Sequence, residues 1–445
     1  MTSPDLFSIL ARTPVPRDLE LPLPLPEPVL TVLLVLLFLL HIFFVNLMVG
    51  GTILVTFFEI LGLRRPRWDE LGYEIAKTVT VNKSLAVVLG IGPLLCINLL
   101  YTIQWYSANA LTGHAWLLII PLVTIAFLLA YLHKYTWHRW NTGRWKQLHL
   151  TIGLISLLLF LAIPVIFLAN VNLMHFPSEW AKVKGFFSSL EPGNVFPRYV
   201  HFLLASIAIA SLFMVGWFGR KSYPIERLEG FTRPGLKRLF LKGTAFPTAA
   251  QFIAGPLLLF TLPKVGITTS LYQVILAGAS VGLLVTWLLF REIRKSDDHV
   301  GNRYIPICFL FSLVVLGMGS GRQIYRQAAL SEHKQEIADR TASYESALAE
   351  FRATHEATDT EANSKPAGET LFANCAACHA PEIQLVGPSL AEIAEIYAGN
   401  PEGIVAWAKA PGKKRPQLPP MPPFNHLGDE ALHSIAVFML EKAGK

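Results

Sequence analysis

The stretch Val29-Leu-Thr-Val-Leu-Leu-Val-Leu-Leu-Phe-Leu-Leu-His-Ile-Phe-Phe-Val-Asn-Leu-Met-Val-Gly-Gly-Thr-Ile-Leu-Val-Thr-Phe-Phe58 decides the fold class of this 445-residue chain. It contains no Asp, Glu, Lys or Arg. It is longer than the roughly 20 apolar residues that an α-helix needs to cross a bilayer core of about 30 Å. A run of this length predicts a helix that spans a membrane.

Seven further apolar runs follow this first one. They lie near residues 84–106, 114–134, 149–171, 198–219, 245–262, 270–290 and 304–322. The chain as a whole has 16% charged residues, whereas a soluble domain has about 25%. This composition excludes an ordinary cytosolic enzyme and a disordered chain. The sequence therefore predicts an all-α, polytopic membrane helix bundle of about eight spans, arranged as two groups of four (4+4).

Lys and Arg residues are concentrated in alternate connections between these spans. The loops after spans 1, 3, 5 and 7 are rich in Lys and Arg, and the loops after spans 2, 4 and 6 have few. Because basic loops stay in the cytoplasm, we expect both termini on the periplasmic side of a bacterial cytoplasmic (inner) membrane. The net charge of +7 then reflects topology, and we expect no nucleic-acid partner.

The character of the chain changes after the eighth span. We expect residues 1–28 to be an outer-side N-terminal segment and residues 29–322 to be the transmembrane bundle. Residues 323–365 combine helix-forming residues with a polar linker that begins near residue 358. Residues 366–445 are balanced in charge and are predicted to form a small soluble domain on the outer side.

This last segment contains Cys375-Ala-Ala-Cys378-His379, which is the attachment sequence of c-type haem. Two thiols on one helical turn can add to the two vinyl groups of haem, and the adjacent histidine reaches the iron. The alternative is a zinc half-site, which needs a second Cys/His pair. His426 and His433 are present but lack paired spacing.

Further features of residues 366–445 resemble class I cytochromes c. Gly387-Pro-Ser-Leu390 follows the attachment sequence, and an acid-capped amphipathic helix is predicted from residue 429. Met421 lies at a suitable distance for a distal thioether, and Met439 competes for this role from within the predicted helix. We expect one haem c, covalently bound to Cys375 and Cys378, with its iron held by His379 and Met421.

Two histidines lie within predicted spans, where ionisable residues are costly and are functional candidates. His41 lies in span 1, and His201 lies near the outer end of span 5, which opens the second group of four spans. A lone histidine on an apolar face usually packs through a hydrogen bond. The related positions of His41 and His201, together with an outer haem c, favour ligation of iron.

In this region the sequence resembles subunit I of the cytochrome bd quinol oxidases. The matching stretches, in order, are His41-Ile-Phe-Phe-Val-Asn-Leu-Met-Val-Gly-Gly51, Asn82-Lys-Ser-Leu-Ala-Val-Val-Leu-Gly-Ile-Gly92, Gln104-Trp-Tyr-Ser107, Phe167-Leu-Ala-Asn-Val-Asn-Leu-Met-His-Phe-Pro177, Arg198-Tyr-Val-His201 and Gly321-Arg-Gln323. The resemblance implies that His201 binds a low-spin haem b and His41 a second haem. It also implies that Arg322 faces haem propionates, which suit guanidinium geometry. We therefore expect one or two haems b.

The chain also departs from this family. Residues 262–290 contain no Met that could serve as the second ligand of the low-spin haem. The family's acidic haem ligand falls on Ser312 and a second acid on Gly319, and span 3 contains no Asp or Glu. The outer loop used for quinol oxidation is reduced to about residues 262–270. Several residues remain as substitute ligands, without a spacing rule that selects one: Met318, Met48, Met214, His114, His133 and His175.

These observations favour a membrane electron-transfer protein of a respiratory chain. It would pass electrons between quinol, or a membrane haem b, and a periplasmic carrier through the tethered haem c, and it would have a partner membrane subunit. A second hypothesis is a bd-type terminal oxidase fed by cytochrome c. A third is a haem c domain on a structural membrane anchor, in which His41 and His201 only pack. The departures above predict that the chain does not reduce oxygen on its own.

Overall fold

The structure is a computed structural model that describes residues 23–191, 194–362, 367–416 and 419–443. The chain divides into two compact units, one comprising Asp18–Ala338 and the other including Asp339–Lys445. The described residues contain helices and no strand, apart from one isolated bridge between His379 and Gln384. The all-α fold class is thereby confirmed.

Ten α-helices form the described part of the first unit, and the last of them continues past the unit's boundary. They are α1 (Glu27–Gly62), α2 (Pro66–Val88), α3 (Ile91–Leu100), α4 (Thr102–Thr112), α5 (His114–Thr136), α6 (Gly143–His175), α7 (Val195–Gly219), α8 (Arg233–Thr261), α9 (Thr269–Ile293) and α10 (Tyr304–Ala362). Within the described ranges, seven helices are long and apolar enough to cross a membrane, namely α1 and α5 to α10.

The second predicted span, near residues 84–106, is bent in the structure. Helical segments Leu85–Leu100 and Thr102–Thr112 meet at a bend of 112°. Tyr101, at the junction, has non-helical backbone angles (φ −139°, ψ 41°) that interrupt the helix. With this bent pair counted as one span, the described residues contain eight spans, in agreement with the prediction of about eight.

Two other boundaries differ from the expected ones. The sixth span, near residues 245–262, lies within a longer continuous helix of 29 residues, α8, which contains Pro247 and Pro256. Membrane helices tolerate proline because neighbouring groups satisfy the freed backbone. Helix α10 extends to Ala362, so the first residues of the expected linker are helical. The connection between α8 and α9 is short, as predicted.

Five short helices form the described part of the C-terminal domain. They are α11 (Ala367–Leu371), α12 (Ala373–Ala376), α13 (Leu390–Ile396), α14 (Pro401–Lys409) and α15 (Asp429–Ala443). The Ser389 hydroxyl caps α13 by accepting a hydrogen bond from the Glu392 amide, and Asn400 caps α14 through the Gly403 amide. A core of buried side chains joins α13 to α15: Leu390, Ile393, Ile435 and Met439.

Candidate cofactor sites

The ring of His379 in the C-terminal domain is held by one backbone hydrogen bond. Its Nδ1 donates to the carbonyl oxygen of Pro388 at 2.8 Å, since a carbonyl can only accept. The proton on Nδ1 leaves the Nε2 lone pair free, as ligation of iron requires. The proline of the Gly387-Pro-Ser-Leu390 stretch thus contacts the predicted axial histidine through its backbone.

Gly387 packs closely against the same ring, nearest to its Cε1 atom. A Cβ atom added at Gly387 would lie 2.5 Å from Cε1 of His379, which is closer than any side chain tolerates. The Gly387 amide also donates to the carbonyl of Cys378 at 2.8 Å. The absence of a side chain at this position therefore allows the loop to pack directly on the ring.

The two thiols of the attachment sequence are free and half-buried. Cys375 lies on α12 and Cys378 follows it, and neither forms a disulfide. Burial, with a smaller contribution from the neighbouring Cys378, raises the pKa of the Cys375 thiol. Reduced thiols at both positions are the form that a covalent thioether link to haem consumes.

The zinc alternative finds no support in the described part of this domain. His433 is engaged by Glu402 through an ion pair of 2.8 Å. His426 packs beside the ring of Phe424, with 5.7 Å between centroids. Among the residues that the structure describes, no metal-binding group of three His, Cys, Asp or Glu side chains forms in this domain.

The two methionines that compete as distal ligand occupy different places. Met439 is buried in the core cluster that Cys375 also contacts. Met421 is partly buried against a second cluster, formed by α14 and α15. The two clusters share Ile404 and Leu427 as partly buried members. Met421 as the distal ligand stays a prediction.

In the membrane unit, α1 and α7 pack in parallel. The Ser206 hydroxyl donates to Oδ1 of Asn46 at 2.8 Å, and a Cβ added at Gly50 would lie 2.9 Å from that of Ala210. Asn46 of α1 thus contacts Ser206 of α7, and Gly50, four residues later, contacts Ala210, also four residues later, so the two helices run in the same direction. His41 and His201 each precede this contact by five residues, so they lie at the same depth.

The imidazoles of both histidines have an unused nitrogen. Nδ1 of His41 and Nδ1 of His201 are buried and have no hydrogen-bond partner among the described residues. A packing histidine normally satisfies its buried polar atoms. The neighbouring Gln251 donates to the backbone carbonyl of His201 at 2.9 Å and leaves the ring free. Both rings can therefore serve as ligands.

Three arginines surround His175 near these histidines. Arg326 is buried, and its Nε donates to Nε2 of His175 at 3.2 Å. Arg322 interacts electrostatically with both Arg198 and Arg326, and His175 interacts with all three. Buried nitrogens of Arg198 (Nη1) and Arg322 (Nε) have no partner within the part of the chain that the structure describes.

This arginine cluster (Arg198, Arg322 and Arg326) carries a large positive charge without a counter-ion. In the described ranges none of the three forms an ion pair with a carboxylate. Uncompensated buried charges are strongly unfavourable. The donor set therefore fits an anionic ligand with several oxygens, such as the two propionates of a haem.

The arginine cluster lies one helical turn from both histidines. The guanidinium of Arg322 lies 4.4 Å from the ring centroid of Phe38, which is three residues before His41. Arg198 is likewise three residues before His201. Residues three apart share a helix face, so each candidate iron ligand has an arginine beside it.

Several expected or substitute ligands lie elsewhere. Met214 is buried in the core thirteen residues after His201, about 20 Å along the helix. The Ser312 hydroxyl is exposed and donates to the Cys308 carbonyl of its own helix. Position 319 lacks a side chain, and a Cβ there would lie 2.7 Å from Leu39. His133 hydrogen-bonds to Glu59 at 2.7 Å, at the opposite end of α1.

Sequence reasoning missed the roles of Arg198, Arg326 and His175 in one cluster. One signal was available, because Arg326 follows Arg322 by four residues on the same helix and so shares its face. The contribution of His175, on a different helix, follows only from packing. The tertiary arrangement was needed to bring these residues together.

Comparison with known proteins gives two results that concern different parts of the chain. Residues 366–442 match the family model described as Cytochrome c. The bd oxidase from Geobacillus thermodenitrificans is similar to 74% of this chain over 98% of its own, with a TM-score of 0.55 and 10% sequence identity. No curated protein matches the chain at a significant level.

The C-terminal segment is accordingly a cytochrome c domain, and the membrane bundle has a fold like that of a bd oxidase. At 10% identity the second likeness establishes the fold alone. The predicted combination of a bd-like membrane domain with a cytochrome c domain is confirmed. The chain is a multi-pass membrane protein with a haem-binding electron-transfer domain.

Proposed function

We propose that this chain is a membrane-bound electron-transfer cytochrome of a bacterial respiratory chain. It passes electrons between quinol, or haem b in the bundle, and a periplasmic acceptor, by way of a tethered haem c. One haem c is bound to Cys375 and Cys378, with His379 and Met421 at its iron. One or two haems b are bound at His201 and His41.

The observation that carries the membrane part of this proposal is the arginine cluster. A structural anchor has no need of three arginines beside two histidines whose Nδ1 atoms are buried and without a partner among the described residues, since each buried charge destabilises the fold. A bound haem would satisfy both groups, because imidazole nitrogens can ligate iron and guanidinium groups can donate to propionates. When bound, haem supplies reversible one-electron chemistry at its iron.

The protein residues in this proposal orient and neutralise the cofactors. Pro388 fixes the tautomer and the angle of the His379 ring through its carbonyl. Arg326 is itself held by Gln323, whose Nε2 donates to the Tyr101 hydroxyl at 2.8 Å. Arg326 is thus fixed before any ligand binds, which lowers the entropic cost of binding.

The proposed orientation of the chain in the membrane follows from the distribution of basic loops, and the proposed partners follow from that orientation. We place both termini and the cytochrome c domain (residues 366–445) on the periplasmic side, with residues 29–322 in the inner membrane. A periplasmic carrier then has direct access to the haem c domain. A further membrane subunit would cover the apolar helix faces.

The test of this function measures electron transfer from quinol to haem c. Purified full-length protein is mixed with a reduced quinol, and haem c reduction is followed by absorbance. We expect His201→Ala to slow this reduction at least tenfold. His299→Ala serves as the matched control, since His299 is exposed and its ring hydrogen-bonds to Ser296 in its own loop. Equal rates in wild type and His201→Ala would contradict the proposal.

A bd-type terminal oxidase fed by cytochrome c is the second candidate, and the bd oxidase fold favours it. The residue at position 312 disfavours the oxidase function. The family's acidic ligand is replaced by a hydroxyl that is exposed and bonded to its own helix. Oxygen uptake distinguishes the two functions.

A further inference from the structure

A second group of buried polar residues lies at the end of α1 opposite His41. It joins four helices and is called here the Glu59 cluster. Its members are Glu59 of α1, Asp69 of α2, His133 of α5, and Lys146 and His149 of α6. All five side chains are buried, and Glu59 and His149 are 0% exposed. The proposed electron-transfer function uses none of them.

The hydrogen bonds of the Glu59 cluster determine how many protons it holds. Nε2 of His149 lies 2.7 Å from the carbonyl oxygen of His133, so Nε2 must carry a hydrogen. Nδ1 of the same ring lies 2.6 Å from Oε1 of Glu59. A carboxylate oxygen and a ring nitrogen approach this closely only with a hydrogen between them. Glu59 and His149 therefore share one proton.

Lys146 completes the charge balance of the cluster. Its Nζ lies 2.9 Å from Oε1 of Glu59 and 2.6 Å from Oδ1 of Asp69. Trp137 donates to the other oxygen of Asp69 at 3.0 Å. The negative charges of Glu59 and Asp69 equal the positive charges of Lys146 and of the proton that Glu59 shares with His149. The net charge of the cluster is therefore zero. Neutrality makes the burial of five ionisable groups tolerable.

A metal ion is the competing occupant of this cluster. Ligand atoms of Glu59, His133 and His149 all lie within 4.8 Å of one another. The ammonium of Lys146 already contacts the same Glu59 oxygen, and a divalent cation there would lie beside it. Repulsion between the two cations disfavours metal and favours protons.

His133 is the member through which a further proton can enter. Its Nε2 donates to Oε2 of Glu59 at 2.7 Å, and its ring lines a cavity of about 20 Å³. This volume holds about one water molecule. Thr52, Thr56 and Ser156 also line the cavity, and the Thr56 hydroxyl is buried with no partner among the described residues. A water bound there would contact both His133 and this hydroxyl.

The charged groups that interact with His133 belong to the cluster itself. Glu59 interacts with His133, His149 and Lys146, and His133 interacts with Glu59, His149 and Lys146. Glu70, which lies outside the cluster on the same helix as Asp69, interacts electrostatically with Asp69 and with His138. A proton that binds to His133 therefore enters a cluster whose net charge is zero, next to the carboxylate of Glu59.

We infer that the Glu59 cluster is a proton-binding site whose second proton, on His133, compensates an electron in the membrane bundle. The electron comes from the proposed quinol or carrier, and the proton comes from water at the end of α1 away from His41. The positive charge gained by the cluster then offsets part of the negative charge of the electron. This inference rests on the proposed function, because it presumes a reducible group near His41.

Distance limits the strength of this coupling. Glu59 follows His41 by eighteen residues on one helix, which corresponds to about 27 Å. The interaction of two charges falls with separation, so we expect uptake of a fraction of a proton per electron. The uptake should rise as the pH falls towards the value at which His133 is half-protonated.

The first experiment observes the site without any change in the cofactors. Full-length oxidised protein with ¹⁵N-labelled histidine is titrated with acid, and imidazole bands are recorded by infrared difference spectroscopy. We expect a buried imidazole to titrate, and His133→Gln to remove its band. An unchanged spectrum in His133→Gln would overturn the inference, as would a divalent metal bound in the wild type and lost in this variant.

The second experiment measures proton uptake on reduction, with a pH indicator in weak buffer. We expect Glu59→Gln to reduce the uptake at least twofold, and the exposed Glu226→Gln to leave it unchanged. If Glu59→Gln does not assemble, Gly153→Ala replaces it, since the added Cβ would lie 2.7 Å from Nε2 of His133. Gly153→Ala should shift the pH of half-maximal uptake, and an unshifted midpoint would overturn the inference.

The two proposals fail in distinguishable ways. Wild-type protein that lacks haem b would overturn the proposed function and this inference with it. Protein that has haem b but takes up equal protons in wild type and Glu59→Gln would overturn the inference alone.

Discussion

Asn46 and Ser206 join α1 to α7 by a buried hydrogen bond of 2.8 Å, and each lies five residues after a candidate haem histidine. Because the two helices run in parallel, this bond fixes His41 and His201 at one depth. Two cofactor sites at one depth can share the charge of a single arginine cluster. The contact also supports the 4+4 arrangement, in which spans 1 and 5 occupy equivalent positions.

The covalent attachment of haem c depends on both thiols of the Cys375-Ala-Ala-Cys378 stretch. Replacing Cys375 and Cys378 by Ala should abolish haem staining of the full-length chain on a denaturing gel. The thioether bonds survive denaturation, whereas non-covalent haem is lost. Cys96→Ala with Cys308→Ala is the matched control and should keep the stain. A stained double variant at positions 375 and 378 would refute the assignment.

The distal ligand of haem c is tested by substituting the two candidate methionines. Met421→Ala should lower the haem c potential and allow carbon monoxide to bind, because a thioether ligand raises the potential and occupies the sixth position. Met439→Leu should leave both properties unchanged and cost less than about 1.5 kcal/mol of stability. A redox titration checks both, and the reverse pattern would assign Met439.

The contact between Gly387 and His379 predicts an effect of one added methyl group. Gly387→Ala places a Cβ 2.5 Å from the imidazole, so the ring or the loop must shift, at a cost of about 1–3 kcal/mol. Denaturant unfolding monitored at the haem c band measures this loss. In Gly412→Ala the nearest atom is 3.2 Å away, on Trp407, and a smaller loss is expected. Equal stability of wild type and Gly387→Ala would show that this contact is not needed.

The protein alone should not reduce oxygen to water at a significant rate. Position 312 offers an exposed hydroxyl where the related family has a carboxylate, and the Glu59 cluster lies about 27 Å from His41. Charge that accumulates on a buried oxygen adduct without nearby protons is strongly disfavoured. An oxygen electrode with reduced quinol or cytochrome c tests this. Cyanide-sensitive turnover of several electrons per second that is lost in His41→Ala would contradict it.

The sequence predicted those features that depend on nearby residues. Membrane spans follow from hydropathy, because every backbone group must be satisfied within the helix in a bilayer. The haem c site follows from Cys375, Cys378 and His379, because covalent attachment and ligation require neighbours in the chain. These parts of the account needed no tertiary information.

The remaining features depend on packing between distant segments. The bend in the second span lies at Tyr101, between Leu85–Leu100 and Thr102–Thr112. Hydropathy does not locate it, since residues 84–106 contain no charged residue that would mark a break. The Glu59 cluster draws its residues from four helices. Single ionisable residues on four separate helices cannot indicate such a cluster from the sequence.

The central claim is that haem b in the bundle and haem c in the C-terminal domain occur in one chain. Acid–acetone extraction of purified full-length protein, followed by pyridine haemochrome spectra of both fractions, measures this directly. The account predicts one non-extractable haem c per chain and one or two extractable haems b, with haem b diminished in His201→Ala and retained in His299→Ala. Haem c alone, with no extractable haem b, would show that the bundle is an anchor and would contradict the account.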